Sequence, residues 1–133
     1  MKAKHLLLLV LPLLSYACTQ GTPPPIAGHA NPYDIPQVSY TDPALARETR
    51  YDRPIITRDP ISHHVYVTLP LRSVTDQTLY VDHRTIFLDR AGQPVDTTEW
   101  RRVTLNPQVT ERLGAKSMVP HVEHAEVQLR YAK

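Results

Sequence analysis

Asp76-Gln-Thr-Leu-Tyr-Val-Asp-His-Arg-Thr-Ile-Phe-Leu-Asp-Arg-Ala-Gly92 decides the fold of this 133-residue chain. Alternation with period two places Leu79, Val81, Thr85 and Phe87 on one face, with His83 among them, and Asp82 and Arg84 on the other. Near its end the segment is apolar on both faces, through Ile86, Phe87 and Leu88, which suits a central strand. Asp89-Arg-Ala-Gly92 then supplies turn chemistry before Pro94 and Val95 begin a return. The stretch predicts one long strand running into a hairpin. No motif in it, or elsewhere in the chain, names a reaction or a ligand.

Working outward, Ser62 to Arg72 alternates as well, with Val65, Val67, Leu69 and Leu71 on one face and His64, Tyr66 and Thr68 on the other. Pro70 must then lie at an edge or a bulge, because it cannot donate to a ladder. Ser73 to Gln77 is a polar connection. Beyond the turn, Pro94 to Trp100 leads into Arg101 to Leu105, and Trp100 is the large aromatic able to plug a core between sheets. Asn106-Pro107 marks a corner, Val109 to Leu113 a short strand and Gly114-Ala-Lys116 a turn. Ala125, Val127, Leu129 and Tyr131 alternate against Glu126, Gln128 and Arg130. Short strands separated by turns at this spacing predict an all-β sandwich without internal repeats. Thirteen prolines and four glycines disfavour long helices and agree with that class.

Upstream, Asp42-Pro43 followed by Ala-Leu-Ala-Arg-Glu48 reads as an N-cap, a first-turn proline and one or two helical turns. Tyr33 to Tyr40 is ambiguous, since Pro36 suits an edge or an extended arm. Arg53 to Thr57 is the first strand that the pattern supports. Gln20 to Pro32, with Pro23, Pro24 and Pro25 in a row, reads as a semi-rigid tether. The chain thus divides into a leader over 1–17, a tether or extended arm over 18–52, and a folded domain over 53–133.

Lys2 and Lys4 precede an apolar run from Leu6 to Leu14 that is too short to span a bilayer, the form of a secretory signal. Fifteen Lys and Arg face thirteen Asp and Glu, and removal of Lys2 and Lys4 with the leader balances the two. Nucleic-acid binding therefore lacks its electrostatic footing. Leu14-Ser-Tyr-Ala-Cys18 resembles a bacterial lipoprotein signal, in which a small residue precedes the cysteine that becomes lipid-modified. Ser15 and Tyr16 depart from the usual Leu and small residue, and Leu14 lies one step further out. The competing reading is an ordinary cleaved signal with Cys18 as a free thiol. As the sole cysteine, Cys18 allows no disulfide within the chain. By the same resemblance, Thr19 after the cysteine favours the outer over the inner membrane.

Leu71 to Asp82, Phe87 to Gly92, Trp100 to Leu105 and Val127 to Tyr131 together resemble the YcfL-like family of bacterial lipoproteins, across roughly residues 61–133. The resemblance implies an immunoglobulin-like β-sandwich on a lipid anchor and assigns no catalytic residue or cofactor. It also hints at envelope biogenesis, since family members are often encoded near a lipoprotein activator of penicillin-binding proteins.

Five histidines of the domain, His63, His64, His83, His121 and His124, would have to converge to hold a metal; imidazole is the ligand type, but no H-E-x-x-H or paired cysteines accompany it. Asp76, Asp82, Asp89 and Asp96 are spread through turns and polar faces, so a carboxylate pair for glycan hydrolysis has no support. G-x-S-x-G and S-x-x-K are absent, as is a phosphate-cradling loop. Trp100, Arg101 and Arg102 form an aromatic-basic cluster suited to an acidic glycan or a partner, the competing reading being a solvated strand flank. Together with the lipoprotein resemblance, the absence of catalytic motifs leads to the expectation of a membrane-anchored, periplasm-facing accessory module that binds an envelope protein and is not an enzyme. A histidine-based metal-binding lipoprotein is the alternative.

Overall fold

The computed structural model describes residues 36–133. The expected leader, the expected lipidation site Cys18 and the part of the expected tether up to residue 35 lie outside the described residues. Nine strands and one short helix follow: β1 (Gln37–Tyr40), α1 (Pro43–Glu48), β2 (Thr49–Tyr51), β3 (Ile55–Arg58), β4 (Val65–Ser73), β5 (Leu79–Leu88), β6 (Pro94–Thr97), β7 (Arg101–Leu105), β8 (Thr110–Lys116) and β9 (His124–Tyr131). Two of these, β4 and β5, are the long strands that the alternation predicts, and each forms the middle of a sheet.

In the first sheet β5 pairs antiparallel with β9 along one side, from Val81 opposite Tyr131 to Leu88 opposite His124. Its other side is shared end to end by two short strands. There β7 covers Leu79 to His83, and β6 covers Ile86 to Leu88 with a bulge after Phe87. β1 adds to the free side of β9 in parallel. The second sheet repeats the plan: β4 pairs with β8 on one side, and with β2 and β3, end to end, on the other.

The inward residues of both sheets meet in one core. Val65, Val67, Leu69 and Leu71 of β4 share it with Val81 and Phe87 of β5, Leu105 of β7 and Val127 and Leu129 of β9, all essentially fully buried. The domain is therefore all-β and sandwich-like, its two sheets closing on a common apolar layer. Phe87 is the largest fully buried side chain.

Several local expectations resolve in physical terms. The Asp89 turn forms as its residues predict: Asp89 Oδ1 accepts from the amides of Ala91 and Gln93, and Gly92 sits at φ +78°, where a side chain would be strained. Asp42 caps α1 by accepting from the Ala44 amide at 2.8 Å. Pro70 lies in a central strand rather than at an edge or bulge. Its carbonyl accepts from the Asp52 amide, and in a strand the nitrogen of the same residue points to the same side. The missing donor therefore falls where the chain passes from β2 to β3 and no ladder bond is needed. Gly114 to Lys116 form the end of β8 instead of a turn, with Gly114 paired to Thr68.

The folded domain begins well before residue 53. β1 and β2 supply edge strands to the two sheets, and Leu45 of α1 is fully buried in the core. Six helical residues cannot hold themselves together, so α1 persists through that burial and through its cap. Part of the segment expected as tether or arm is therefore structural.

Candidate functional site

The outward face of the first sheet carries a group of polar and aromatic side chains in mutual contact. Alternation along β5 and β9 sends Asp82, Arg84, Glu126, Gln128 and Arg130 to this face, and the register places Asp82 opposite Arg130 and Arg84 opposite Gln128. Trp100, just before β7, lies over them. The Arg130 guanidinium sits 3.9 Å and that of Arg84 4.6 Å from the centre of its ring. Each such contact is worth about 0.5–2 kcal/mol, more where water is excluded. Trp100 does not plug the core, contrary to the expectation from its size. The inward positions are taken by aliphatics and Phe87, and the indole packs against two cations instead.

Beneath this layer Asp82 gathers charge. Its Oδ1 lies 3.2 Å from Arg102 Nε and its Oδ2 lies 3.5 Å from Arg130 Nη2. The Lys133 amide approaches Oδ2 at 3.4 Å, and Arg102 also donates to the Lys133 carbonyl. Burial pushes the Asp82 carboxyl up, but the hydrogen bonds from Arg102 and the Lys133 amide, with the charges of Arg102 and Arg130, hold it below its ordinary range. A second chain of hydrogen bonds positions Arg84. Its Nε donates to Gln128, Gln128 donates to Glu126, and Ser39 of β1 donates to the same Glu126 oxygen at 2.6 Å. These bonds hold the Glu126 carboxyl below its usual range and tie the Trp100 layer to the parallel edge strand. A groove of about 570 Å³ opens beside the layer, between Trp100 and the corner at Thr41 and Asp42.

The predicted trio of Trp100, Arg101 and Arg102 is divided. Arg102 joins Trp100 on the outer face, whereas alternation along β7 turns Arg101 the other way, opposite His83. His83 is buried on the inner face, 8% exposed, at the base of a cleft of about 390 Å³ that Arg101, Thr98 and Met118 help to line. Burial, then the charge of Arg101, pushes its imidazole below the ordinary value, with Asp82 partly opposing them.

The other histidines do not converge. His63 and His64 occupy the β3–β4 turn, His63 with φ 59°, while His121 is exposed in the connection before β9 and His124 opens that strand. Among the described residues no three His, Cys, Asp or Glu come together as a metal-ligand group. The cluster that the metal-binding alternative requires does not form there, because the turn, the sheet interior and the β8–β9 connection hold these residues apart. The scattered carboxylates likewise have separate duties: Asp82 binds two arginines, Asp89 builds a turn, and Asp96 accepts from the Met118 amide at 2.5 Å. No helix among the described residues is long and apolar enough to cross a membrane.

Arg84 and Arg130 escape sequence reasoning as site residues. Their alternation is legible, yet they lie on strands far apart in the chain, and only the β5–β9 register brings both to one indole.

The chain matches no family model and no curated protein. Its fold is similar to that of Campylobacter jejuni cj0090, with a TM-score of 0.52 at 10% identity over 74% of this chain and 99% of that one. It is also similar to a DUF1425 family member from Shewanella sp. pv-4, with a TM-score of 0.53 at 14% identity over 64% and 77% of the two chains. At such identities the likeness is one of fold alone.

Proposed function

We propose that this chain is a lipid-anchored, periplasm-facing accessory protein of the bacterial cell envelope, distantly related to the YcfL-like lipoproteins. Its domain is an immunoglobulin-like sandwich that works by docking an envelope protein and catalyses no reaction. The anchor is the acylated Cys18, and Thr19 directs it to the outer membrane. The leader and the cysteine that follows it support the anchoring, and the two-sheet fold shared with a DUF1425 protein is in keeping with the family relation.

The observation that carries the docking role is the placement of Trp100, the sole tryptophan, against Arg84 and Arg130 on the outer face rather than in the core. Trp and Arg dominate the energetic centres of protein interfaces, where a rigid aromatic and a forked donor lose little freedom on binding. The tether confines that surface near the membrane. Extended at about 3.5 Å per residue, residues 19–32 reach on the order of 45–50 Å, which raises the effective concentration of any partner within that radius.

Two measurements test the proposal. Labelled palmitate should enter the wild-type protein and leave Cys18→Ala unlabelled and released from membranes. A photo-crosslinker at Glu99, beside Trp100, should capture a partner that one at Tyr66, on the other sheet, does not. Label retained by Cys18→Ala sinks the anchor, and identical products from both positions sink the docking face.

A further inference from the structure

Charge on the Trp100 face is incompletely spent. Arg84 uses Nε on Gln128, which leaves its two terminal nitrogens without a hydrogen-bond partner among the described residues. Arg130 Nε is buried and has no partner at all there. Arg130 Nε is sealed from solvent and its Nη2 faces Asp82, so the donors left to an incoming acceptor in the groove are the terminal nitrogens of Arg84. Among the neighbouring carboxylates, Glu126 feels the charge of Arg84 but is bonded by Ser39 and Gln128 rather than by Arg84. Asp82 is engaged by Arg102 and Arg130, and Asp42 is engaged by the cap of α1.

The geometry points to a carboxylate-binding site in the groove between Trp100 and Asp42, where the terminal nitrogens of Arg84 bind an acidic side chain of a peptide partner and Arg130 adds positive charge beside them. This rests on the docking role assigned to the Trp100 face and gives it a chemistry. A guanidinium presents paired N–H groups at the spacing of carboxylate oxygens, and stacking on the indole holds the Arg84 fork ready with the charge of Arg130 beside it.

Position and charge favour a peptide over a bilayer. The chain enters the first sheet at Gln37, opposite Glu126, and reaches the groove only at Thr41, past the far end of β1. The described chain thus begins at the end of β1 away from the groove. Asp42 at the rim also opposes a dense anionic surface while tolerating a single carboxylate placed on the arginines.

Trp100 reports on the site directly, being the chain's sole tryptophan. The full lipidated chain in neutral detergent micelles is titrated with triglutamate, triglutamine, inorganic phosphate and phosphatidylglycerol vesicles while its emission is followed. The expected result is a saturable change with triglutamate that fades as salt is raised, with little response to triglutamine. Arg84→Gln should weaken triglutamate binding about tenfold. Loss of the stack on Trp100 and of the bond to Gln128 should lower its melting temperature by a few degrees, so Arg84→Lys, which keeps the charge and lacks the fork, is the second variant and should also bind triglutamate less tightly than wild type. Equal responses to triglutamate and triglutamine, tighter binding of vesicles or of phosphate than of triglutamate, or undiminished affinity in Arg84→Gln would each overturn the site. A silent titration in a chain that still crosslinks through residue 99 removes the carboxylate chemistry and leaves the docking role standing.

Discussion

Asp82 and Arg130 stand directly opposite each other on β5 and β9, on the face of the sheet that points to solvent, yet Asp82 retains only 6% of its exposure. The layer of Arg102, Arg130 and Trp100 makes this surface behave as a small second core, polar beneath and aromatic above.

Asp82→Asn should therefore destabilise the domain by roughly 1–3 kcal/mol at neutral pH, because two arginines lose their shared acceptor. The folded carboxyl lies below its unfolded value of about 3.9, so its contribution is complete above that pH and is lost as pH falls through the folded value. Denaturant unfolding from pH 7 to pH 2 should show a steeper acid loss for wild type than for the variant; parallel curves would contradict the account.

His83 titrates in the opposite chemical sense with a similar consequence. Its folded imidazole lies below the unfolded value of about 6.5, so folding is favoured above that pH and weakened as protonation forces a buried charge. His83→Val should leave stability at pH 7.5 equal or higher and should remove part of the loss seen on going to pH 5. Thermal unfolding of both proteins at the two pH values measures this, and an unchanged acid loss would point to other groups.

Leu45→Ala should cost about 2–5 kcal/mol, although the residue precedes the region where alternation is strong. A chain beginning at residue 53 lacks β1, α1 and β2 and should give neither dispersed amide resonances nor a cooperative melt. A well-folded truncation would show that these elements are accessory.

Tyr131 donates to Glu48 at 2.7 Å and so fastens the end of β9 to α1. Burial, then the hydrogen bond to Glu48 and the charge of that carboxylate, pushes its phenol up to about 12. A raised value means stability present below an unfolded value of about 10 and lost as pH climbs through the folded one. Spectrophotometric titration should find a late-ionising tyrosine that disappears in Tyr131→Phe, a variant weakened by roughly 1 kcal/mol.

Much of the fold was legible because a strand exposes alternate residues to opposite environments. Val65 through Leu71 and Val81 through Phe87 declare their inward faces, and Asp89 to Gly92 declares a turn, from chemistry within a few residues. The start of the domain was not. β1 carries little apolar signal of its own and becomes a strand by pairing with β9, almost ninety residues later in the chain. Pro70 was misplaced for a related reason, since a central strand tolerates proline where its neighbour on that side is interrupted.

The site divides along the same line. Arg102 and Trp100 could be picked out as neighbours in sequence, but Arg101 could not be separated from them without knowing which face of β7 is covered. Arg84, Arg130 and Asp82 gave no sign of acting together.

By itself, the sequence determined the all-β class, the inward set of β4, β5 and β9, the capped turn of α1 and the hairpin at Gly92. Each of these depends on local geometry and on the removal of apolar side chains from water. Only the tertiary structure decided that Trp100 lies outside the core, that the histidines stay apart and that two arginines share one indole. Those outcomes depend on register between strands distant in the chain, set by the packing of the whole domain rather than by any segment within it.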